Sequence, residues 1–220
     1  MNSGWWIAEL LESGQTALLI SWIVWVIGSI CLHELAHGWA AIRLGDDTPI
    51  VTGHMTWNPL VHMGPWSLLM FAVVGFAWGL MPISPHKLRG RHGEAIVAFA
   101  GPAMNIALAL LSMVLGGIWV AYGGAAGEPL YANLDTFFRV GVMLNIILAV
   151  LNLLPAPPLD GSRILSHYHR GYRELLRNPR AQMVSLVVLL VVFFNFSDFL
   201  FAPASAVARD GIAFIGGLLS

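Results

Sequence analysis

The sequence predicts an all-α polytopic membrane protein of about four to five transmembrane helices, with a re-entrant segment and a short β-hairpin near its reactive centre. Three observations carry that prediction. Hydrophobic residues make up 57% of the chain against 10% charged, and the mean hydropathy of +0.73 lies well outside the balance of soluble domains. Four apolar runs, 16–44, 95–120, 136–154 and 183–201, each approach or exceed the roughly 20 residues a spanning helix needs. A fifth run, 66–80, is shorter and is closed by Pro82 and Pro85, so it either dips into the bilayer or crosses it, and the charge pattern below favours the dip. The 220 residues are expected to form a single membrane-embedded domain, 1–220, with its core at about 16–201.

Taken in order, Trp5, Trp6, Leu10 and Leu11 suggest a short amphipathic helix lying at the membrane interface. The stretch has no basic region of the kind a secretory signal carries, so it is expected to be retained. After the first long run, the alternation over Ile50 to Trp57, with Gly53 inside it, reads as a strand. Residues 202–220 read either as an interfacial helix or as a short return into the bilayer.

Charge supplies the orientation. Arg43, Lys87, Arg89, Arg91, Arg163, Arg170, Arg173, Arg177 and Arg180 are nine of the eleven basic residues and should face the cytoplasm. They do so together only if residues 44–93 leave and return on one side, which places the N-terminus and the loop 122–135 outside. A net charge of -1 argues against a nucleic-acid partner. Cys31 is the single cysteine, so there is no disulfide framework; it lies two residues before His33, nearly opposite it on the helix, and reads as a packing residue.

Within the first long run stands His33-Glu34-Leu35-Ala36-His37. Positions four apart on a helix face the same way, about 6 Å along the axis, so both imidazoles can reach one metal ion. A zinc ion held by two histidines and one further ligand keeps a position open for water, and Glu34 stands beside it as the group to take the proton. The bland alternative is a pair of helix histidines satisfied by neighbours or by a porphyrin. A carboxylate inside a membrane segment costs roughly 2.5–3.5 kcal/mol on insertion scales, which favours the functional reading of Glu34. The third ligand has to come from elsewhere, and the only acidic residue in a comparable setting is Asp160, in Asn152-Leu-Leu-Pro-Ala-Pro-Pro-Leu-Asp160-Gly161. Prolines there stop the helix, and broken backbone at membrane depth persists only where protein buries it or water reaches it. Asp160 could otherwise simply cap the helix that follows.

These residues resemble the site-2 protease family of intramembrane zinc metalloproteases. The resemblance rests on HELAH followed by GWAA, on Gly101-Pro102-Ala103-Met104-Asn105, and on NLLPAPPLDGSRI, and it covers about residues 22–165. It implies His33, His37 and Asp160 as ligands of one Zn2+ per chain, Glu34 as the catalytic general base, and Asn105 and Asn152 as substrate-binding or supporting amides. The amides could equally bond across helices for packing. It also implies a transmembrane protein or peptide as substrate, lipid as surroundings, and a bacterial or archaeal cell membrane with the active site toward the cytoplasm. Where compact relatives tend to read HIDP, this chain reads His62-Met63-Gly64-Pro65, and it has no room for PDZ or CBS domains. His54 and His62 are candidates for extra metal or proton-relay groups, or for ordinary hydrogen-bonded histidines; His86, His92, His167 and His169 read as solvated loop residues.

The expected activity is therefore zinc-dependent hydrolysis of peptide bonds within or next to transmembrane segments. The alternative is a non-catalytic metal-binding membrane protein, either a metal transporter or a pseudoprotease. A transporter needs ligands spread along a path, whereas these cluster around a base. The strand at Ile50 to Trp57 is expected to hold an unwound substrate by strand addition, or else to pack on the protein's own hairpin.

Overall fold

The computed structural model describes residues 4–220, so the first three residues of the N-terminal stretch lie outside it. Among the described residues ten α-helices follow one another: α1 (Trp6–Glu12), α2 (Thr16–Arg43), α3 (Thr48–Val51), α4 (Pro59–Val74), α5 (Gly93–Tyr122), α6 (Glu128–Leu153), α7 (Asp160–Tyr168), α8 (Arg170–Leu176), α9 (Pro179–Phe196) and α10 (Asp198–Leu219). Five of them, α2, α5, α6, α9 and α10, are long and apolar enough to cross a membrane.

Helices α2, α5, α6 and α10 pack as a bundle of alternating direction. The Trp25 indole of α2 donates to the Phe137 carbonyl of α6 at 2.8 Å, and the Ser112 hydroxyl of α5 donates to the Phe138 carbonyl at 2.9 Å. Small residues let the backbones approach. Gly116 and Gly117 of α5 meet Ile212 and Ile215 of α10, and Ala204, Ala208 and Gly216 are buried on the same α10 face. In lipid, where apolar surface gains nothing by leaving its surroundings, such close packing is the main source of helix affinity.

The direction of α10 corrects the expected course of the C-terminal third. Gly211 abuts Met113, Ile212 abuts Gly116, and the Tyr122 hydroxyl donates to the Leu219 carbonyl at 2.9 Å, so α10 runs parallel to α5. Since α6 runs opposite to α5, α10 also runs opposite to α6. Ser197 alone separates α9 from α10 and keeps right-handed helical dihedral angles. The run expected to cross at 183–201 falls mostly on α9, and 202–220, expected as an interfacial helix or a short return, belongs to α10; each of the two helices is long and apolar enough to cross. Pro203, Arg209 and Asp210 hid α10 by lowering its hydropathy, while its small residues supplied the packing.

The strand expected at Ile50 to Trp57 is absent, and no β-strand or hairpin occurs among the described residues. Asp46, wholly buried, accepts from the Thr48 N–H at 3.0 Å and the Thr48 hydroxyl at 2.5 Å, and Pro49 stands in the first turn of α3. That side-chain turn leads into a helical turn, which Gly53 ends at φ +71°. Alternation of side chains was outweighed by turn chemistry. Nor does a helix fill 66–80: α4 begins earlier, at Pro59, bends at Gly64 and ends at a left-handed Gly75. Beyond it the chain doubles back without helix. The Ser67 hydroxyl bonds both the N–H and the carbonyl of Trp78, and the Leu80 N–H donates to the His62 carbonyl at 2.8 Å. At the N-terminus, α1 is short and leans on α4, with Trp6 and Phe71 rings 5.7 Å apart.

Asp46 also accepts from the Ser84 N–H at 2.7 Å, fastening the end of α2 to the chain entering α5. Burial alone would push its carboxyl up, but the Thr48 hydroxyl, the Ser84 and Thr48 amides and Lys87 together hold it below the usual carboxylate range. A folded-state pKa below the unfolded value of about 3.9 means that the contribution is complete above that value and is lost as pH falls through the folded pKa. We expect Asp46→Ala to lower unfolding stability in detergent by about 2–3 kcal/mol at pH 7. In thermal unfolding, the gap between wild type and variant should narrow as pH is lowered below that range.

Candidate metal centre

The buried half of α2 presents His33, Glu34 and His37, each 4–7% exposed. Asp160, 7% exposed, is the first residue of α7 and reaches the same point from the far side of the proline break. His33 Nε2 lies 3.0 Å from His37 Nε2, and Asp160 Oδ2 lies 3.1 Å from the first and 3.2 Å from the second. These three side chains are the only metal-capable group of this kind among the described residues.

Their environment fixes which nitrogen each ring offers. His33 Nδ1–H donates to Asn105 Oδ1 at 2.6 Å, and His37 Nδ1–H donates to the Val97 carbonyl at 2.7 Å. With both protons held on Nδ1, both Nε2 lone pairs face inward. Two bare nitrogens and a carboxylate oxygen pointing at one another without a cation would repel. Tetrahedral zinc with N and O ligands at about 2.0–2.1 Å separates its donors by roughly 3.3 Å, close to the spacing found. Gly101 completes the cradle. A Cβ there would stand 2.5 Å from His33 Nε2 and from His37 Nε2, so α5 approaches the donors only because that position lacks one. The residues fit a zinc ion.

Of the two asparagines singled out in the sequence, only Asn105 joins this group. Its amide also donates to Asn145 Oδ1 at 3.0 Å, and Asn145 in turn donates to the Gly141 carbonyl at 2.9 Å. Both amides are 0% exposed. Asn105 is thus a support for His33. Asn152 donates to the Leu148 carbonyl of its own helix at 3.0 Å and stands outside this chain of bonds. Asn145 was missed by the sequence reading. The available signal was an amide in the middle of the apolar α6 run, two turns before Asn152 on the same helix face.

Glu34 is covered by the returning segment after α4: a Cβ on Gly79 would collide with the Glu34 carboxylate. The backbone beside Glu34 is that of Gly79, while Met55, from the stretch 50–57, lies against Gly38 next to His37. Gly161 allows the tight start of α7, since a Cβ there would collide with the Leu153 and Leu154 carbonyls. His54 and His62 stay apart from the donors. His54 Nδ1 bonds Thr52, and His62, 1% exposed, donates from Nε2 to the Thr56 carbonyl at 2.6 Å.

The amide relay gives a direct test. Asn145→Ala should leave the fold intact yet weaken zinc binding roughly 10-fold or more through the freed Asn105 amide, as losses of such outer contacts do. Chelator competition measures it.

Comparison with known proteins agrees with this chemistry. Residues 21–196 match the family model described as Peptidase family M50. Similar relatives include the protein named "Putative zinc metalloprotease YwhC" of Bacillus subtilis, 33% identical over 195 residues, which span 86% of this chain and 88% of the relative. The protein named "Putative zinc metalloprotease Rip2" of Mycobacterium tuberculosis is 30% identical over 194 residues, 85% of this chain and 70% of its own. The chloroplastic "Membrane metalloprotease ARASP" of Arabidopsis thaliana is 36% identical over 77 residues, 34% of this chain and 17% of its own. No solved structure matches the chain. With four-fifths of its length covered by the family model, the chain belongs to peptidase family M50, the site-2 protease family, and is a zinc metalloprotease.

Proposed function

We propose that this protein is an intramembrane endopeptidase that cuts transmembrane proteins within or next to their membrane-spanning segments, using one zinc ion per chain. The observation that carries the reading is burial: His33, Glu34, His37 and Asp160 lie in the interior of a bundle whose outer faces are apolar, not on a water-facing surface. A bilayer substrate reaches such a site laterally. The whole of residues 1–220 acts as one domain in this reading.

His33, His37 and Asp160 hold the ion, and a zinc ion bound there supplies Lewis acidity toward a carbonyl and toward water. Every other step belongs to side chains. Glu34 takes the proton of the attacking water and delivers it to the departing amide nitrogen, a role worth typically 10²–10⁴-fold in rate. Asn105 and the Val97 carbonyl keep the two imidazoles from rotating during the cycle. The extended residues 75–84, which double back beside α4 and cover Glu34, form the re-entrant element against which an unwound substrate is laid. Asn152, half-buried near the proline break, is left to contact substrate backbone. Arg43 in the last turn of α2, Arg163 in α7 and Arg170 and Arg173 on α8 support a metal centre that opens toward the cytoplasm.

Glu34→Gln should retain zinc and lose cleavage of a model transmembrane peptide by at least about 10²-fold. Asp160→Ala should lose zinc and activity together. Mass spectrometry of the products locates the cut: sites inside the apolar segment or at its edge support the proposal, and cuts confined to distant soluble flanks contradict it.

A further inference from the structure

A second pair of imidazoles meets at the end of the bundle. His92, immediately before α5, and His167, in the last turn of α7, face each other with His92 Nδ1 3.2 Å from His167 Nε2. Glu94 Oε2 lies 3.8 Å from the opposite nitrogen, His167 Nδ1. Tyr168 braces both rings, stacked on His92 at 5.7 Å and edge-on to His167 at 4.8 Å. His167 also lines an open cavity of about 310 Å³ shared with His86, Arg91 and Glu94. None of these histidines belongs to the buried group on α2.

The arrangement has the chemistry of a ligand pair. Glu94, 3.8 Å from His167 Nδ1, puts negative charge on the side of that ring away from His92, where a metal-bound imidazole gains from an acidic neighbour. Two nitrogens 3.2 Å apart match one edge of a tetrahedral coordination sphere of about 2.0–2.1 Å bonds. Imidazole donors select zinc, nickel and copper over the hard cations. Glu94 offsets the charge of Arg91 on the cavity wall.

We infer that His92 and His167 form a second, water-accessible two-histidine site for a borderline divalent metal ion such as Zn2+, its remaining positions left to water. Metal bound there would join the start of α5 to the end of α7, the helix whose first residue is Asp160.

The test is zinc stoichiometry of the full, untagged protein in detergent, measured by metal analysis after equilibration in buffered free zinc. Wild type should carry two zinc ions per chain, His167→Ala and His92→Ala one each, and His33→Ala/His37→Ala one that is lost on adding His167→Ala. Unchanged zinc content in both His92→Ala and His167→Ala overturns the site and leaves an imidazole hydrogen bond in its place. Because the two single variants keep the buried donors, that outcome is separate from failure of the buried centre, which would appear as zinc unaffected by His33→Ala/His37→Ala. Should that double variant not fold, the comparison of wild type with the single variants decides alone.

Discussion

Three donor atoms, His33 Nε2, His37 Nε2 and Asp160 Oδ2, have to be held within about 3 Å of each other inside an apolar bundle, and most of the fold can be understood as meeting that demand. Such atoms repel without a cation, and moving them out of water is costly. The protein meets both costs with hydrogen bonds on the outer side of each ring. His33 leans on Asn105 and then Asn145, while His37 leans on a main-chain carbonyl of the same helix α5. One helix thus orients both imidazoles of another.

That arrangement depends on close backbone approach, and glycine supplies it at the two places where it is indispensable. Gly101 lets α5 reach the imidazoles, and Gly161 lets α7 start against the end of α6. Pro102, next to the first, costs α5 one ladder hydrogen bond without breaking the 30-residue helix. The break after α6, with its run of prolines, frees Asp160 from the helix register and turns its carboxylate toward α2. Rigid helices set the rings, and an irregular segment brings the third donor.

Much of this was legible in the residues. His33, Glu34, His37 and Asp160 could be read from periodicity and from the rarity of ionisable groups in apolar runs, because both signals are local and strong. The helical class followed from composition. What could not be read was decided by long-range packing or by competing turns. Asp46 and Pro49 imposed a helical turn where alternation suggested a strand. Ala204, Ala208 and Gly216 made a bundle helix of a stretch that Pro203, Arg209 and Asp210 had disguised. Asn145 was hidden because an amide in an apolar helix announces a partner without naming it, and His92 and His167 lie 75 positions apart, so no local pattern joins them.

The identity of the atoms that would surround a zinc ion at His33, His37 and Asp160 is open to direct measurement. X-ray absorption at the zinc edge, on His167→Ala protein loaded with a single equivalent of zinc, reads that shell. It should contain only nitrogen and oxygen at about 2.0–2.1 Å, with scattering from two imidazoles. A sulfur shell near 2.3 Å, which would bring in the buried Cys31, or a shell lacking imidazole scattering would contradict that donor set.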